Sequence, residues 1–366
     1  MRNAWLLMRG RTAATFAAVL LTWGAAAQPD ALDSAEAATA AVEENRPDMP
    51  LQVRAFQSGL RVTGISVAPR VTLAEQTDPE GIRTGVVLPE YMRPERFLGV
   101  APQRFPLDMR LLWTVEAPSA EPIPLRDYAV ELVHHQGYAR RHQTQNGSAE
   151  DFFPQDAKAA CWTAHRFAAA AHIPPGAYDV LVTKMAAPVQ TVPLGQLLLW
   201  PSAIPRPEAT KKLTEAFPGA INVFSGDAAL TRWFYMAFPI PPLPFAARKL
   251  LVVSSADYLE DAANETPVAT ITVEYASGQR EQHALLLGRH TASTWHRFHA
   301  RGSVKHRQAP IAWSWRVVQE TAEFDACAYK AVFDLAESNP PPASVSIAYD
   351  DDREGILRLW SVAFLP

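Results

Sequence analysis

The sequence predicts an all-β protein built as two antiparallel β-sandwiches in series. Short runs that alternate apolar and polar residues recur from Leu51 to the C-terminus, bounded by Pro, Gly or Asn. Thirty-one prolines stand against seventeen glycines. Proline is excluded from helix interiors and central strands, so loops and sheet edges must be abundant. No helical period of useful length occurs beyond the N-terminal region, and no repeat suggests a solenoid or propeller. With 366 residues, 48% hydrophobic and 20% charged, the chain reads as a folded globular protein. At roughly 100–200 residues per domain, two domains are expected. A formal charge of −4 without a basic block argues against nucleic acid as a partner.

The first element is an export signal. Arg2, Arg9 and Arg11 precede an apolar run from Ala13 to Trp23, and small residues then lead to a polar start at Gln28. That order places cleavage after Ala27. The run is shorter than the ~20 residues needed to cross a bilayer, so a periplasmic or extracellular mature chain without a membrane span is expected. Residues 28–50 are rich in Ala, Glu and Asp and read as a disordered linker.

Residues 51–200 form the first sandwich. Its strands are expected in "LQVRAFQSGLRVTGISV", "MRLLWTVEA", "YAVELVHHQGYA" and "TAHRFAAAAHIPPGAYDVLVTKM". After the Pro174-Pro175-Gly176 turn, Tyr178, Val180 and Val182 share one face of a strand. This ending looks like the final hairpin of many immunoglobulin-like accessory domains. Residues 201–216 form a second linker, because "PSAIPRPEATKK" carries three prolines and then charge. It is expected to add nothing to a core and to be cut by proteases near Lys211 and Lys212.

Residues 217–366 form the second sandwich. Runs such as "TRWFYMAFPI", "VATITVEYASG", "AWSWRVVQE" and "ILRLWSVAFL" occur at the density of a jelly roll. Thr270, Thr272 and Glu274 point one way on their strand, and Ile271, Val273 and Tyr275 the other. A turn at Ser277-Gly278 pairs this strand with "EQHALLLG". Val345 and Ile347 are expected in the core. Cys161 and Cys327 fall in separate domains and read as buried free thiols, although an exported compartment permits a bridge.

Several residues here carry a resemblance. Tyr275, Ser277, Gly278, Gly288, Arg289, His290, Trp295, Asn339, Pro340 and Pro342 match the pattern of a bacterial galactose-binding-like β-sandwich, an accessory domain found beside glycoside hydrolases and in exported proteins. The resemblance runs from about Phe217 to Leu365. It implies a jelly-roll fold and says less about function, which lives in sites grafted on folds. The loop after Trp295 carries no second clear aromatic platform close to the first.

That loop is the candidate site, through Arg289, His290, Trp295, His296 and His299. Three readings stay open. Aromatic stacking with Arg and His donors would hold a sugar. Histidines, with His306, would hold a metal, although His-x5-His-x2-His matches no helix-based or zinc-knuckle spacing. Otherwise Trp295 plugs the sandwich end. Two further stretches, "HHQGYARRHQ" and "YDDDRE", read as a strand end with a solvated basic turn and as a solvated hairpin tip. No Gly-x-Ser-x-Gly, His-Glu-x-x-His or phosphate loop is present, and no cofactor is implied. The leading expectation is an exported, non-catalytic binding or interaction protein that contacts glycan or a cell-envelope partner. A secreted carbohydrate-active hydrolase and a structural subunit of an envelope assembly are the alternatives.

Overall fold

The computed structural model describes residues 49–50, 55–88, 97–103, 106–115, 122–134, 140–144, 152–153, 160–167, 174–298, 303–319, 322–336, 340–350 and 355–366. The expected export signal, residues 28–48 of the expected first linker, His299, Asn339 and most of "YDDDRE" lie outside the described residues. In chain order the first strands are β1 (Met49–Pro50), β2 (Leu60–Ala68), β3 (Gln76–Thr77), β4 (Arg83–Val86), β5 (Phe97–Pro102), β6 (Leu107–Val115) and β7 (Ile123–Pro124). Then come β8 (Tyr128–His134), β9 (Arg140–Thr144), β10 (Phe152–Phe153), β11 (Ala160–Phe167), β12 (Gly176–Lys184) and β13 (Gln190–Trp200). After β14 (Ala203–Pro205), helix α1 (Pro207–Ala216) leads to β15 (Ile221–Leu230), β16 (Phe234–Pro239), β17 (Lys249–Asp257) and β18 (Pro267–Tyr275). The chain closes with β19 (Arg280–Leu286), β20 (Ile311–Gln319), β21 (Ala322–Asp334), β22 (Pro342–Tyr349) and β23 (Ile356–Leu365). The protein is an all-β sandwich structure with one α-helix among the described residues.

Two compact units result: Met1–Val71, Pro94–Ile173 and Ala177–Trp200 form one, and Thr72–Arg93, Pro174–Gly176 and Pro201–Pro366 the other. In the first, a four-stranded sheet runs β1-β2-β6-β11 and a five-stranded sheet β5-β13-β12-β8-β9. Their shared core holds Trp113, Tyr128 and Phe56, with the Trp113 and Tyr128 rings edge to face at 5.3 Å. Trp113 donates its indole N–H to Thr163 Oγ1 at 2.7 Å, so its one polar atom is satisfied inside the core. Tyr178, Val180 and Val182 are all buried on one face of β12, as their alternation requires.

Three details of this unit differ from the sequence reading. Met49 and Pro50, placed in the disordered linker, pair with Ile65 and Gly64. The sandwich is not wholly antiparallel, because β13 runs parallel to β5. Arg140–Gln143, the end of the stretch read as a strand end and a solvated basic turn, belong to β9 and pair with β8.

The second unit is built from two six-stranded sheets, ordered β14-β15-β23-β17-β21-β20 and β19-β18-β22-β16-β4-β3. Their inner faces meet. Leu250, Val252, Val362 and Phe364 come from one sheet, and Met236, Phe238, Ile271, Val273, Val345 and Ile347 from the other, all fully buried. Phe224 and Phe238 stack across the interface at 5.2 Å. The domain boundary is therefore not a single cut at residue 200. Residues 72–93, expected in the first sandwich, supply β3 and β4 to the second through pairing of β4 with β16. A strand of four residues has too little alternation to reveal its partner, and pairing with a strand far along the chain is a tertiary outcome.

Residues 201–216 are not a linker. Ala203–Pro205 pair with β15, and Pro207 occupies the first turn of α1, where its missing N–H costs nothing and its φ is pre-set for the helix. Ala209 and Leu213, four residues apart, lie on one helical face and are buried. Leu213 packs on the outer face of the first-named sheet against Leu251, Val253, Ala328 and Ala363, rimmed by Phe217, Trp313, Trp315 and Trp360. Lys212 lays its ammonium 5.6 Å over the Trp315 ring. Prolines that suggested a spacer instead end an edge strand and start a helix.

Leu213→Ala should therefore destabilise the protein by about 2–4 kcal/mol, as truncation of a buried leucine does. A urea titration measures it. Trypsin should spare Lys211 and Lys212 in the native protein and cut there readily in the variant.

Candidate functional site

The loop between β19 and β20 begins with a backbone turn that only glycine fits. Gly288 has φ 75°, and a Cβ there would meet Asn264 Oδ1 at 2.4 Å. That oxygen accepts the Arg307 N–H at 2.7 Å, which ties the start of the loop to its end. After the turn, Thr291, Ala292, Ser293 and Thr294 are buried. Strands β17 and β21 pair as far as Ser254 and Tyr329 and then separate. The loop backbone fills the gap. Ala256 donates its N–H to the Ala292 carbonyl at 2.8 Å, and Cys327 donates its N–H to the Thr294 carbonyl at 3.0 Å. Tyr329 donates its hydroxyl to the Ser293 carbonyl at 2.8 Å.

Side chains lock this wedge. Thr294 Oγ1 donates to Ser255 Oγ at 2.8 Å, and Ser293 Oγ donates to Glu260 Oε1 at 3.1 Å. His306 is buried, and its Nε2 accepts the Ser293 N–H at 3.2 Å. A ring that accepts at Nε2 must be neutral, with its proton on Nδ1. Burial, and then the neighbouring His296, push the His306 pKa down to about 4, against the opposing pull of Glu260 and the Ala262 and Leu259 carbonyls.

The expected site residues do not converge. His290 rests edge-on against Phe333 at 4.9 Å, while Trp295 rests edge-on against Phe324 at 5.2 Å. Those two phenylalanines are nine residues apart on β21, roughly 30 Å along an extended strand. Arg289 is exposed, and His290 and Trp295 are both half-buried. Burial, and next the Arg289 charge, lower the His290 pKa. His296 donates through Nε2 to the His306 carbonyl at 3.0 Å, assigned by the acceptor it faces. Phe298 shares Phe324 with Trp295, at 4.3 Å, so the loop does contain a second aromatic ring. For the metal reading, His296 and His306 are engaged with backbone groups, and no group of three metal-ligating side chains forms among the described residues.

Buried carboxylates lie elsewhere in this unit. Asp257 Oδ2 accepts from Arg358 Nε at 2.8 Å, and Asp227 lies 3.9 Å from the same guanidinium. Both carboxylates face a cation from neighbouring strands, which is the arrangement of a structural ion group. Cys161 and Cys327 are both buried and are not joined in a disulfide.

Alternation on β18 turns Thr270, Thr272 and Glu274 outward. The register assembles them into a surface. Thr272 lies opposite Ser346 on β22, which lies opposite Ala237 on β16. Thr270 lies opposite Ala348, and Ala348 opposite Tyr235. Glu274 lies opposite Ser344. Thr270, Thr272, Ser344, Ser346, Ala348 and Tyr235 are half-buried, while their neighbours Ile271, Val273, Val345 and Ile347 are in the core. The floor is thus small and hydroxyl-rich across three strands, with Gln282 and Arg280 exposed on β19 at one side. Gln282 Nε2 donates to Thr272 Oγ1 at 3.3 Å, and Asp350 accepts from Thr270. At the other side the Tyr235 hydroxyl donates to Glu75 Oε2 at 2.7 Å. Burial, and then that bond to Glu75, raise the Tyr235 pKa and keep the phenol a donor. Register alone builds this face, and alternating Thr-x-Thr and Ser-x-Ser on separate strands are its only sequence signal.

Two measurements check the wedge. His306 titrates near 4 in the folded chain and near 6.5 when unfolded, so between those values only the unfolded state takes up the proton. Stability should hold above about pH 6.5 and fall as pH drops toward 4, by on the order of 3 kcal/mol in full. His306→Asn should be less stable at neutral pH and show a shallower slope of Tm against pH. Trp295→Ala should cost about 1–3 kcal/mol, below the range for a fully buried tryptophan, in a chemical denaturation series.

No family model matches the chain, and no curated protein matches it. Among solved structures it is similar to the N-terminal CBM22-1–CBM22-2 tandem domain of Xyn10C from Paenibacillus barcinonensis. Identity is 8%, coverage 87% of this chain and 98% of that one, and the TM-score 0.19. It is also similar to a structure described as a carbohydrate-binding module of the β-sandwich superfamily, at 7% identity, 85% and 100% coverage and a TM-score of 0.17. Likenesses of this size assign no residue of this chain to a site.

Proposed function

We propose that this chain is an exported, non-catalytic binding protein whose second unit holds glycan across the outward face of β18, β22 and β16. One observation carries the reading: a floor of Thr270, Thr272, Ser344, Ser346 and Ala348 lies on the side of the sheet away from the core and stays partly exposed. Rungs of a sheet stand about 4.8 Å apart, so hydroxyls on adjacent strands present alternating donors and acceptors to a polyhydroxylated chain laid across them. Small side chains keep the floor low enough for a polymer to lie on the sheet. The loop from Thr291 to Thr294 has its backbone engaged within the fold, which leaves this face as the better placed contact surface. Export follows from the arginines and apolar run at the N-terminus.

A glycan array on the mature chain tests the function, followed by titration of the best ligand against a Ser346→Arg variant. Ser346 is half-buried in the middle of the floor, so an arginine there blocks the surface without entering the core. Affinity should fall by about tenfold or more, equivalent to ~1.4 kcal/mol, at an unchanged Tm. A mature chain that retains no glycan, or a Ser346→Arg variant that binds as the parent does, would refute the reading.

A further inference from the structure

We infer that Tyr235 is the stacking platform of this face, held in place by Gly85 and Glu75, and that the face takes an uncharged glycan with an exposed apolar sugar face. The inference rests on the glycan reading of the same surface and adds the residue and the ligand class. Tyr235 lies directly opposite Gly85 across the β16–β4 pair. A Cβ at position 85 would sit 2.2 Å from Tyr235 Cζ, 2.3 Å from its hydroxyl and 2.4 Å from Cε1. The outer end of the ring therefore occupies the place a side chain on β4 would take. It leans across the neighbouring strand and does not stand away from the sheet. Gly85 is not at a positive φ, so what glycine provides here is space.

The same end of the ring is also held by a hydrogen bond. Its hydroxyl donates to Glu75 Oε2 at 2.7 Å, and Glu75 Oε1 is 3.5 Å from Arg83. A ring contacted from below and pinned at its hydroxyl loses little further freedom when a ligand covers it, which lowers the entropic cost of stacking. An aromatic ring lying along a sheet next to Ala348 and Ser346 offers a sugar an apolar face beside hydroxyl partners.

The charges on the face select the ligand class. Arg83 is paired with Glu75 at 3.5 Å and Arg280 with Glu274 at 3.5 Å, while Asp350 accepts from Thr270. Both guanidinium groups are thus already partnered by carboxylates. Glu75 and Glu274 are offset by those arginines in turn, which leaves Asp350 as the excess charge among these groups. A uronate or sulfate on the incoming chain would thus gain no unpaired cation and would meet a net like charge, which disfavours binding. A neutral hexosyl or pentosyl chain carries no such penalty.

The test titrates the mature chain with neutral hexasaccharides of glucose, xylose, mannose and galactose, and with hexagalacturonate. Binding of at least one neutral hexamer is expected, at an affinity tenfold or more above that for hexagalacturonate. Tyr235→Ala should weaken the neutral ligand by at least tenfold, and Tyr235→Phe by only a few-fold. Gly85→Ala, which retains the tyrosine but displaces its ring, should approach Tyr235→Ala. Saturation-transfer spectra on the parent protein should show magnetisation passing from tyrosine ring protons to the sugar, a readout that needs no variant to fold. Unchanged affinity in Tyr235→Ala, or saturation transfer without a tyrosine contribution, overturns the platform and leaves the glycan reading standing. Preference for hexagalacturonate overturns the ligand class. Failure to bind any glycan overturns both.

Discussion

The second unit depends on a sheet that splits and is sealed by a loop. Once β17 and β21 part beyond Ser254 and Tyr329, their facing amides and carbonyls would be left unpaired in the interior, and each such group costs on the order of a few kcal/mol. The Thr291–Thr294 segment supplies the missing partners from its own backbone. Its placement in turn requires a sharp exit from β19 at Gly288, the Asn264 clamp between Gly288 and Arg307, and a neutral His306 behind Ser293. Polar residues concentrate there because the segment substitutes for a strand without the regular ladder that would satisfy it.

The outer faces of the two sheets answer the same problem in opposite ways. One carries tryptophans and leucines, and helix α1 with Phe217 covers them. Apolar area of that kind stabilises at about 25 cal/mol per Å² once removed from water, so a short amphipathic helix of ten residues is held by packing and not by propensity. The other face carries Ser, Thr, Gln and Tyr, which need no cover. Its polar groups bond sideways to one another, as Gln282 does to Thr272 and Ser344 to Glu274. One sandwich thus carries a covered apolar face and an accessible hydroxyl face.

Arg358 shows how the covered side tolerates charge. Its guanidinium joins Asp257 and Asp227 from adjacent strands. Removing the arginine would leave two carboxylates in a poorly solvated setting, which costs far more than the pair itself contributes. The group therefore reports on strand alignment more than on net stability.

Periodicity, turns and composition by themselves determined the β-class, the inward faces of β12, β18 and β22, and the hairpin around Ser277-Gly278, because a two-residue repeat fixes which side chains face a core whatever the partner strand is. They also marked Gly288 and the aromatic, histidine-rich loop as unusual. They left undecided what that loop does, since a wedge and a rim loop have the same composition and differ only in which backbone groups lie opposite. Helix α1 was hidden for a related reason: prolines and lysines signal a spacer until Ala209 and Leu213 are seen to meet an apolar sheet. The candidate surface lay further out of reach. Thr272, Ser346 and Tyr235 are separated by long stretches of chain, and Gly85 lies in a segment that the linear reading assigned to the other sandwich. Only strand register, a property of the folded chain, places Tyr235 on Gly85 and hydroxyls from distant strands on one floor.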